Sequence, residues 1–220
     1  FPSLPWLAPL AAALNAFSQG IAYWHAGFEL LRSKSMDRNS YDSGDWFNRL
    51  DWAGQDNFFG TGLPPARDNA ASWPLMRPRL ADPRLKPSAA DIEWTRAAFL
   101  DLMRIRSSST LFRLRSAADI HERLRFLNTG PDQLPTVIAA HLRGDGYPGA
   151  AFREIVYLVN VGLEPHSLAF AAQRDKPYVL HPVHRAPGAA DRRAAEQSHY
   201  DAPTGRFTVP ARTAVVFVVE

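Results

Sequence analysis

Side chains that could bind or react with a ligand are concentrated in one short segment. This candidate segment is residues 40–52, SYDSGDWFNRLDW. Carboxylates, an amide and a guanidinium alternate there with aromatic rings. A sugar offers hydroxyl groups that donate and accept hydrogen bonds, and an apolar face that stacks on a ring, so this mixture suits sugar binding. The same mixture is also typical of a hydrated surface loop beside a core, and both interpretations stand at this point.

Several other chemistries are excluded by what the sequence lacks. It has no cysteine, and its seven histidines include no i, i+4 pair, so neither a thiolate nor a paired-histidine zinc site is predicted. The run SSST at residues 107–110 lacks the pattern around a nucleophilic serine, and no glycine-rich phosphate loop occurs. The net charge is +3 without a basic run, so no nucleic-acid arm is predicted. No apolar stretch reaches the length of about 18 residues that a membrane span needs.

The elements that would position the segment differ along the chain. Residues 6–17 are rich in Ala and Leu and predict a helix, and IAYWHA at residues 21–26 predicts a buried parallel strand between two glycines. Residues 28–88 show no lasting period, and so long a loop in a compact chain is usually functional. A strong helix is predicted over residues 88–106, with Ser88 and Asp91 as a capping box.

From residue 120 the apolar period changes to two, which predicts strands. The runs are residues 123–128, 136–142, 154–162, 177–183, 206–210 and 213–220, and residues 184–204 form a polar, Ala-rich loop. Turn residues separate the runs, as in an antiparallel β-sandwich. The pattern therefore predicts two domains, residues 1–110 and 111–220.

Long stretches of the chain resemble one known family. Residues 18–52, SQGIAYWHAGFELLRSKSMDRNSYDSGDWFNRLDW, are similar to the region around the eighth barrel strand of pullulanase-type α-1,6-glucosidases of the α-amylase superfamily, most of all to plant-type limit dextrinases. The similarity continues through GTGLPP, SWPLMRPRLADPRLKPS, IRSSSTLFRL, ADIHERLRFLNTGP and YDAPTGRFTVPARTAVVFVVE. It therefore covers almost the whole chain.

The resemblance implies an α/β plus all-β fold class: the last strand and helix of a (β/α)8 barrel, followed by an antiparallel β-sandwich. The nucleophilic aspartate, the glutamic acid and the stabilising aspartate of the family lie at earlier barrel strands, so no catalytic residue is expected here. The chain also lacks an initiator Met. We expect it to be the C-terminal portion of a longer enzyme, inactive alone, whose missing N-terminal barrel is its partner. The complete enzyme would hydrolyse α-1,6 branch points of pullulan, limit dextrin, amylopectin or glycogen.

The loop from Lys34 to Trp52 would lie at the C-terminal face of that barrel, where active sites of this fold are found. The candidate substrate-binding residues are His25, Arg38, Asn39, Asp42, Asp45, Trp46 and Asn48. Asp42 and Asp45 lie on one loop and do not flank a cleft, so they are not expected to act as a catalytic pair. In the structural alternative, Asp45 and Asp51 pair with Arg49, the tryptophans pack beneath the loop, and His25 is a hydrogen-bonded core residue.

Two rival functions stay open. One is a stand-alone carbohydrate-binding or structural accessory module, which would have to bury the apolar residues 6–27. The other is an inactive regulatory relative that has lost its catalytic acids. No cofactor and no metal are predicted for the chain, and calcium is left open for the complete enzyme. The compartment is also open: a plant or algal source would imply a plastid, and a bacterial source the periplasm, the cell surface, secretion or the cytoplasm.

Overall fold

A computed structural model describes the backbone of residues 4–220 and the side chains of residues 7–220. Residues 1–3, with which the first predicted domain begins, lie outside the described residues. The α-helices are α1 Leu4–Phe17, α2 Gly44–Asn48, α3 Ala66–Asn69, α4 Trp73–Leu80, α5 Ala89–Ser108, α6 Ala117–Arg123, α7 Pro182–Arg185 and α8 Arg192–Gln197. The strands are β1 Leu124–Phe126, β2 Val137–Arg143, β3 Glu154–Asn160, β4 His166–Ala169, β5 Val179–Leu180, β6 His199–Asp201, β7 Arg206–Val209 and β8 Thr213–Val219.

The described chain forms two compact units, and the first comprises residues 4–8 and 24–96. The helices that lie wholly within it, α2, α3 and α4, are short. The start of α5 also belongs to this unit, and Ser88 and Asp91 form the predicted capping box there. The Asp91 N–H donates to Ser88 Oγ at 3.2 Å, and the Ser88 N–H donates to Asp91 Oδ2 at 2.8 Å. Met76 of α4 and Ile92 of α5 are buried. The candidate segment belongs to this unit.

The second unit comprises residues 9–23 and 97–220 and contains two antiparallel sheets. The strand orders are β1-β2-β3-β8-β5 and β4-β7-β6. In the larger sheet Tyr157 of β3 pairs with Ala140 of β2 on one side and with Val216 of β8 on the other. Leu158 and Phe217 of the larger sheet share one buried cluster with Phe207 of the smaller sheet. The two sheets are therefore held together by side chains that each contributes.

Arg106 of α5 fixes the end of α1 within this second unit. Its guanidinium donates to the carbonyls of Ser18, Gly20 and Phe112 at 3.1, 3.0 and 3.0 Å. These carbonyls have no helical partner, so a fork of N–H groups satisfies them together. Arg106 therefore ties the segment that follows α1 to the backbone at Phe112.

The structure confirms the predicted combination of helices with antiparallel sheets, and it corrects several elements. The predicted helices over residues 6–17 and 88–106 are present as α1 and α5. The predicted strand at residues 21–26 is not formed in the structure, because no strand pairs with these residues in the described part of the chain. A parallel strand depends on neighbours that these residues do not provide. The predicted strand at 177–183 shrinks to two residues, because Pro182 begins α7 and the His181 ring accepts the Val183 N–H.

Strands β4 and β6 were not predicted, and β6 lies inside the segment expected to be loop. Both lie at the edges of the smaller sheet, where short, polar sequences are common. The predicted boundary near residue 110 stays a prediction. Within the described residues no helix has the length and apolar character to cross a membrane.

Candidate functional site

The loop that carries the candidate segment is preceded by a turn that only glycine suits. Gly27 has a φ of 88°, and a Cβ there would lie 2.6 Å from the Leu50 side chain and 2.9 Å from that of Arg32. The Arg32 N–H donates to the Gly27 carbonyl at 2.9 Å. The glycine therefore lets the two ends of the segment approach closely.

Lys34 and Asn48 close the loop between them. Lys34 Nζ donates to Ser40 Oγ at 2.7 Å and to Asn48 Oδ1 at 2.9 Å. Asn48 Nδ2 donates to the carbonyls of Ser40 and Gly44 at 2.8 and 3.0 Å. Burial, and after it the charge of Arg32, lowers the pKa of Lys34. The Asn48 amide thus holds the loop together from inside.

Trp46 is fixed at its ring nitrogen and on one face. Its Nε1 donates to the Thr61 carbonyl at 3.0 Å, and the Arg49 guanidinium carbon lies 4.0 Å from its ring centroid. The same guanidinium lies 4.0 Å from the Phe58 ring centroid, so Arg49 is placed against two aromatic rings. Trp46 is nevertheless 56% exposed. More than half of the Trp46 surface is therefore accessible to solvent.

A second set of contacts holds the backbone of residues 37–43 and centres on Asn69, the last residue of α3. Asn69 Oδ1 accepts the Arg38 N–H at 3.1 Å, and Asn69 Nδ2 donates to Asp37 Oδ1 at 2.9 Å. Asp37 also accepts from Ser43 Oγ and from the Asn39 N–H. Burial acts to raise the pKa of Asp37, but the hydrogen bonds from Ser43, Asn69 and Asn39 outweigh it and lower the pKa.

The two residues before Asn69 contact the same segment at the surface. Arg67 Nη1 lies 3.5 Å from Asp42 Oδ2, and Asn39 Nδ2 donates to Asp68 Oδ2 at 3.3 Å. The Arg67 and Asp42 side chains are 65% and 72% exposed, so solvent screens this ion pair. Three consecutive residues of α3 therefore contact residues 37–42, and of the three only Asn69 is buried.

The structure places the predicted residues as follows. Arg38, Asn39 and Asp42 are exposed and are held together by the contacts from α3. Asp45, Trp46 and Asn48 lie on α2; the first two are exposed, and Asn48 is used within the loop. His25 is exposed, so the core alternative for it is wrong. In the described part of the chain no hydrogen bond or ion pair joins the His25 ring to the other candidates.

The structural alternative for the aromatic and charged residues of the loop is also corrected. No ion pair joins Asp45, Arg49 and Asp51 among the described residues. Asp51 accepts the N–H groups of Ala53, Gln55 and Asp56 at 2.9, 2.7 and 3.0 Å. Trp52 is 73% exposed and therefore does not pack beneath the loop.

The sequence reasoning missed Lys34, Asp37 and Asn69 as the residues that hold the site. A weak signal existed, because Asp68 and Asn69 form a polar pair directly after LPPAR in the unpatterned region. Their partners lie about 30 residues earlier, and no local period reports such a pairing. Among the described residues no group of three or more His, Cys, Asp or Glu side chains is arranged to hold a metal ion.

Known proteins resemble this chain over most of its length. Residues 54–220 match the family model described as alpha-1,6-glucosidases, pullulanase-type, C-terminal. The chain therefore belongs to this family, as the resemblance had predicted.

Individual relatives agree with the family match. The chain is 47% identical over 217 residues to the chloroplastic pullulanase 1 of Arabidopsis thaliana, covering 95% of this chain and 22% of that protein. It is 43% identical over 124 residues to a pullulanase of Klebsiella aerogenes, covering 56% of this chain and 11% of that protein. Among solved structures, it matches PulA from Klebsiella oxytoca with a TM-score of 0.87 and 28% identity, over 100% of this chain and 21% of that one.

A maltotriose complex of PulA from Klebsiella pneumoniae matches with a TM-score of 0.86 and 30% identity, over 98% of this chain and 23% of that one. The matches thus span about a fifth of the length of the Arabidopsis protein and of the two PulA structures, and 11% of the Klebsiella aerogenes protein.

Proposed function

We propose that this chain is the C-terminal part of an α-1,6-glucan debranching glycoside hydrolase. Family membership over residues 54–220 supports the assignment, as do relatives that are themselves pullulanases. The substrate would be an α-glucan: pullulan, limit dextrin, or the branches of amylopectin or glycogen. The carboxylates that cleave the bond would come from a part of the enzyme outside residues 1–220.

The proposal includes an assignment of the helices and strands to the two domains of such an enzyme. We assign residues 21–25 to the last strand position of a (β/α)8 barrel and α5 to its last helix. Ile21 and Tyr23 are 81% and 80% exposed on a backbone without strand partners, as expected of a strand whose neighbours lie elsewhere. The two sheets of the second unit would form the β-sandwich, because both contribute to one buried cluster.

The observation that best supports a substrate-binding role is that residues 37–46 combine a hydrogen-bonded backbone with exposed side chains. The backbone of Arg38 and Asn39 is held by Asn69 and Asp37, while the side chains of Arg38, Asp42 and Trp46 are exposed. Preformed polar groups beside an open aromatic face are what a sugar-binding surface requires. In this role Arg38, Asn39, Asp42 and Asp45 contact hydroxyl groups and Trp46 stacks on a glucosyl ring.

His25 and Asn48 have narrower roles in this proposal. His25 ends the proposed strand and would contact substrate from the turn that follows, where its carbonyl accepts the Phe28 N–H at 2.9 Å. Asn48 would act by shaping the loop, because its amide groups bond to Lys34, Ser40 and Gly44.

The test is kinetic and uses the complete enzyme with pullulan as substrate. Arg38→Ala is expected to raise KM by roughly 10-fold or more, because a guanidinium bond to a hydroxyl is worth about 1.5 to 3 kcal/mol. Arg84→Ala is the matched control, since Arg84 is an exposed arginine of the same unit that pairs with Asp82 at 2.7 Å. Equal KM values for wild type, Arg38→Ala and Arg84→Ala would refute the assignment of this surface.

A further inference from the structure

The hydrogen bonds of the first unit identify a residue that controls the candidate surface without touching substrate. We propose that Asn69 is the positioning residue of the sugar-binding segment, acting through the backbone of Arg38 and the carboxylate of Asp37. The proposal rests on the proposed function above. It adds a residue that lies outside the residues assigned to sugar contact.

Asn69 makes three directed bonds from a site with almost no access to water. It is 1% exposed. Its Oδ1 accepts the Arg38 N–H at 3.1 Å, and its Nδ2 donates to Asp37 Oδ1 and to the Pro65 carbonyl, each at 2.9 Å. A buried amide that loses these partners leaves several groups unpaired, so its position is tightly specified.

The bonds of Asn69 are directed at the residues that present the candidate contacts. Arg38, whose N–H donates to Asn69, also carries an exposed guanidinium that is one of the candidate sugar contacts. Asp37, held by Nδ2, accepts the Asn39 N–H at 3.1 Å and a bond from Ser43 Oγ. One side chain therefore fixes the backbone on both sides of Arg38 and the start of the turn that carries Asp42.

The surface contacts of the same helix cannot replace Asn69. Arg67 and Asp68 reach Asp42 and Asn39 at 3.5 and 3.3 Å, at exposed positions. Such contacts in water contribute little to order. Without Asn69 the segment would have to be ordered when sugar binds, and the free energy for that ordering would be lost from affinity. The chemical step would be unaffected, since Asn69 touches neither substrate nor reacting groups.

The experiment compares two buried asparagines of the same unit in the complete enzyme. Asn57 is 6% exposed, and its amide donates to the Leu31 carbonyl at 2.9 Å and accepts the Phe59 N–H at 3.1 Å. Neither bond reaches residues 37–48. Asn57→Ala therefore removes a comparable buried amide without releasing the candidate segment.

For Asn69→Ala we expect KM for pullulan and the Kd for maltotriose to rise roughly 5- to 30-fold, with kcat within about twofold of wild type. Asn57→Ala is expected to lower the melting temperature to a similar extent and to leave KM and Kd unchanged. Equal effects of both variants on KM, or an unchanged KM in Asn69→Ala, would overturn the proposal.

A second pair of variants keeps the proposal testable if Asn69→Ala does not fold. Asn69→Asp keeps the acceptor for the Arg38 N–H but faces the Asp37 carboxylate with a second one, so affinity should fall as in the alanine variant. Adding Asp37→Asn restores a donor between the two side chains and should recover several-fold of the lost affinity. Wild-type affinity in Asn69→Asp, or no recovery in the double variant, would overturn the proposal.

The behaviour of Arg38→Ala separates this inference from the proposed function. If Arg38→Ala leaves KM unchanged, the surface does not bind substrate and the proposed function fails first. If Arg38→Ala raises KM while Asn69→Ala does not, substrate binds there and only the positioning role is wrong.

Discussion

Replacement of Trp46 by alanine separates a ring that stacks on sugar from a ring that packs against the protein. The ring is 56% exposed, has Arg49 on one face and donates to the Thr61 carbonyl. Removal of a fully buried tryptophan costs about 3 to 5 kcal/mol. Less than half of this residue is buried, so we expect a loss of about 1 to 2 kcal/mol, which includes its cation–π contact.

That loss corresponds to a fall of about 2 to 8 °C in the melting temperature of a chain of this size. The expected effect on binding is larger. A nucleic-acid base that stacks on an aromatic side chain contributes about 1 to 3 kcal/mol to binding. A loss of that size for the sugar raises KM for pullulan about 5- to 150-fold in the complete enzyme. Initial rates with pullulan give KM, and calorimetric melting of the 220-residue chain gives the stability.

Trp52→Ala is the control, because Trp52 is a more exposed tryptophan of the same unit, at 73%, that has no assigned contact with sugar. Its replacement should leave KM unchanged and lower the melting temperature less than Trp46→Ala does. The reasoning is refuted if Trp46→Ala melts more than about 10 °C lower while KM stays at the wild-type value. In that case the ring would be packing, and its exposure would have been misread as availability.

Three further predictions concern the chain itself. The isolated 220 residues should release no reducing ends from pullulan, because an oxocarbenium-like transition state needs carboxylates on both sides of the scissile bond; turnover above a buffer blank would contradict this. Burial acts to raise the pKa of Glu154, but hydrogen bonds from His141, Lys176 and Tyr178 outweigh it and lower the pKa from 4.5 to about 2. The stability that Glu154 contributes is complete above about pH 4.5 and is lost as the pH falls towards 2. Glu154→Gln should therefore make the free energy of unfolding depend less on pH in this range. Glu164→Gln, at an exposed position, is the control and should leave that dependence unchanged. Burial, and after it the charge of His181, lowers the pKa of His184 from 6.5 to about 3, so the chain should lose stability as the pH falls from about 6.5 towards 3, and His184→Asn should show a shallower loss in pH-dependent melting.

Much of the fold could be predicted because the local sequence of its main elements carries the signals of helix capping and of strand periodicity. The α5 helix begins at a capping box of two residues three apart, and both reciprocal bonds form. Strands β2, β3 and β8 are long runs, and β3 pairs with both β2 and β8. Their alternating or continuous apolar residues therefore report a real sheet.

The elements that could not be predicted depend on residues that a local pattern does not contain. IAYWHA has the composition of a buried strand, but no strand pairs with it among residues 4–220, and Ile21 and Tyr23 are exposed. Strand β6 is three residues long, and its pairing with β7 decides its conformation rather than its own propensity. The contacts of Asn69 with Asp37 and Arg38 join residues 32 and 31 positions apart.

The aspartates of the first unit show why the types of residue alone could not define the site. Asp37 and Asp51 each accept three hydrogen bonds from within the unit, and their pKa values are lowered. A carboxylate offers about four acceptor positions, so these two have few left for a ligand. Asp42 has only a long contact with Arg67, and among the described residues no hydrogen bond or ion pair engages the Asp45 side chain. The aspartates that hold the loop thus differ from the exposed ones in how many of their acceptor positions the protein already uses, and only the folded backbone determines that number.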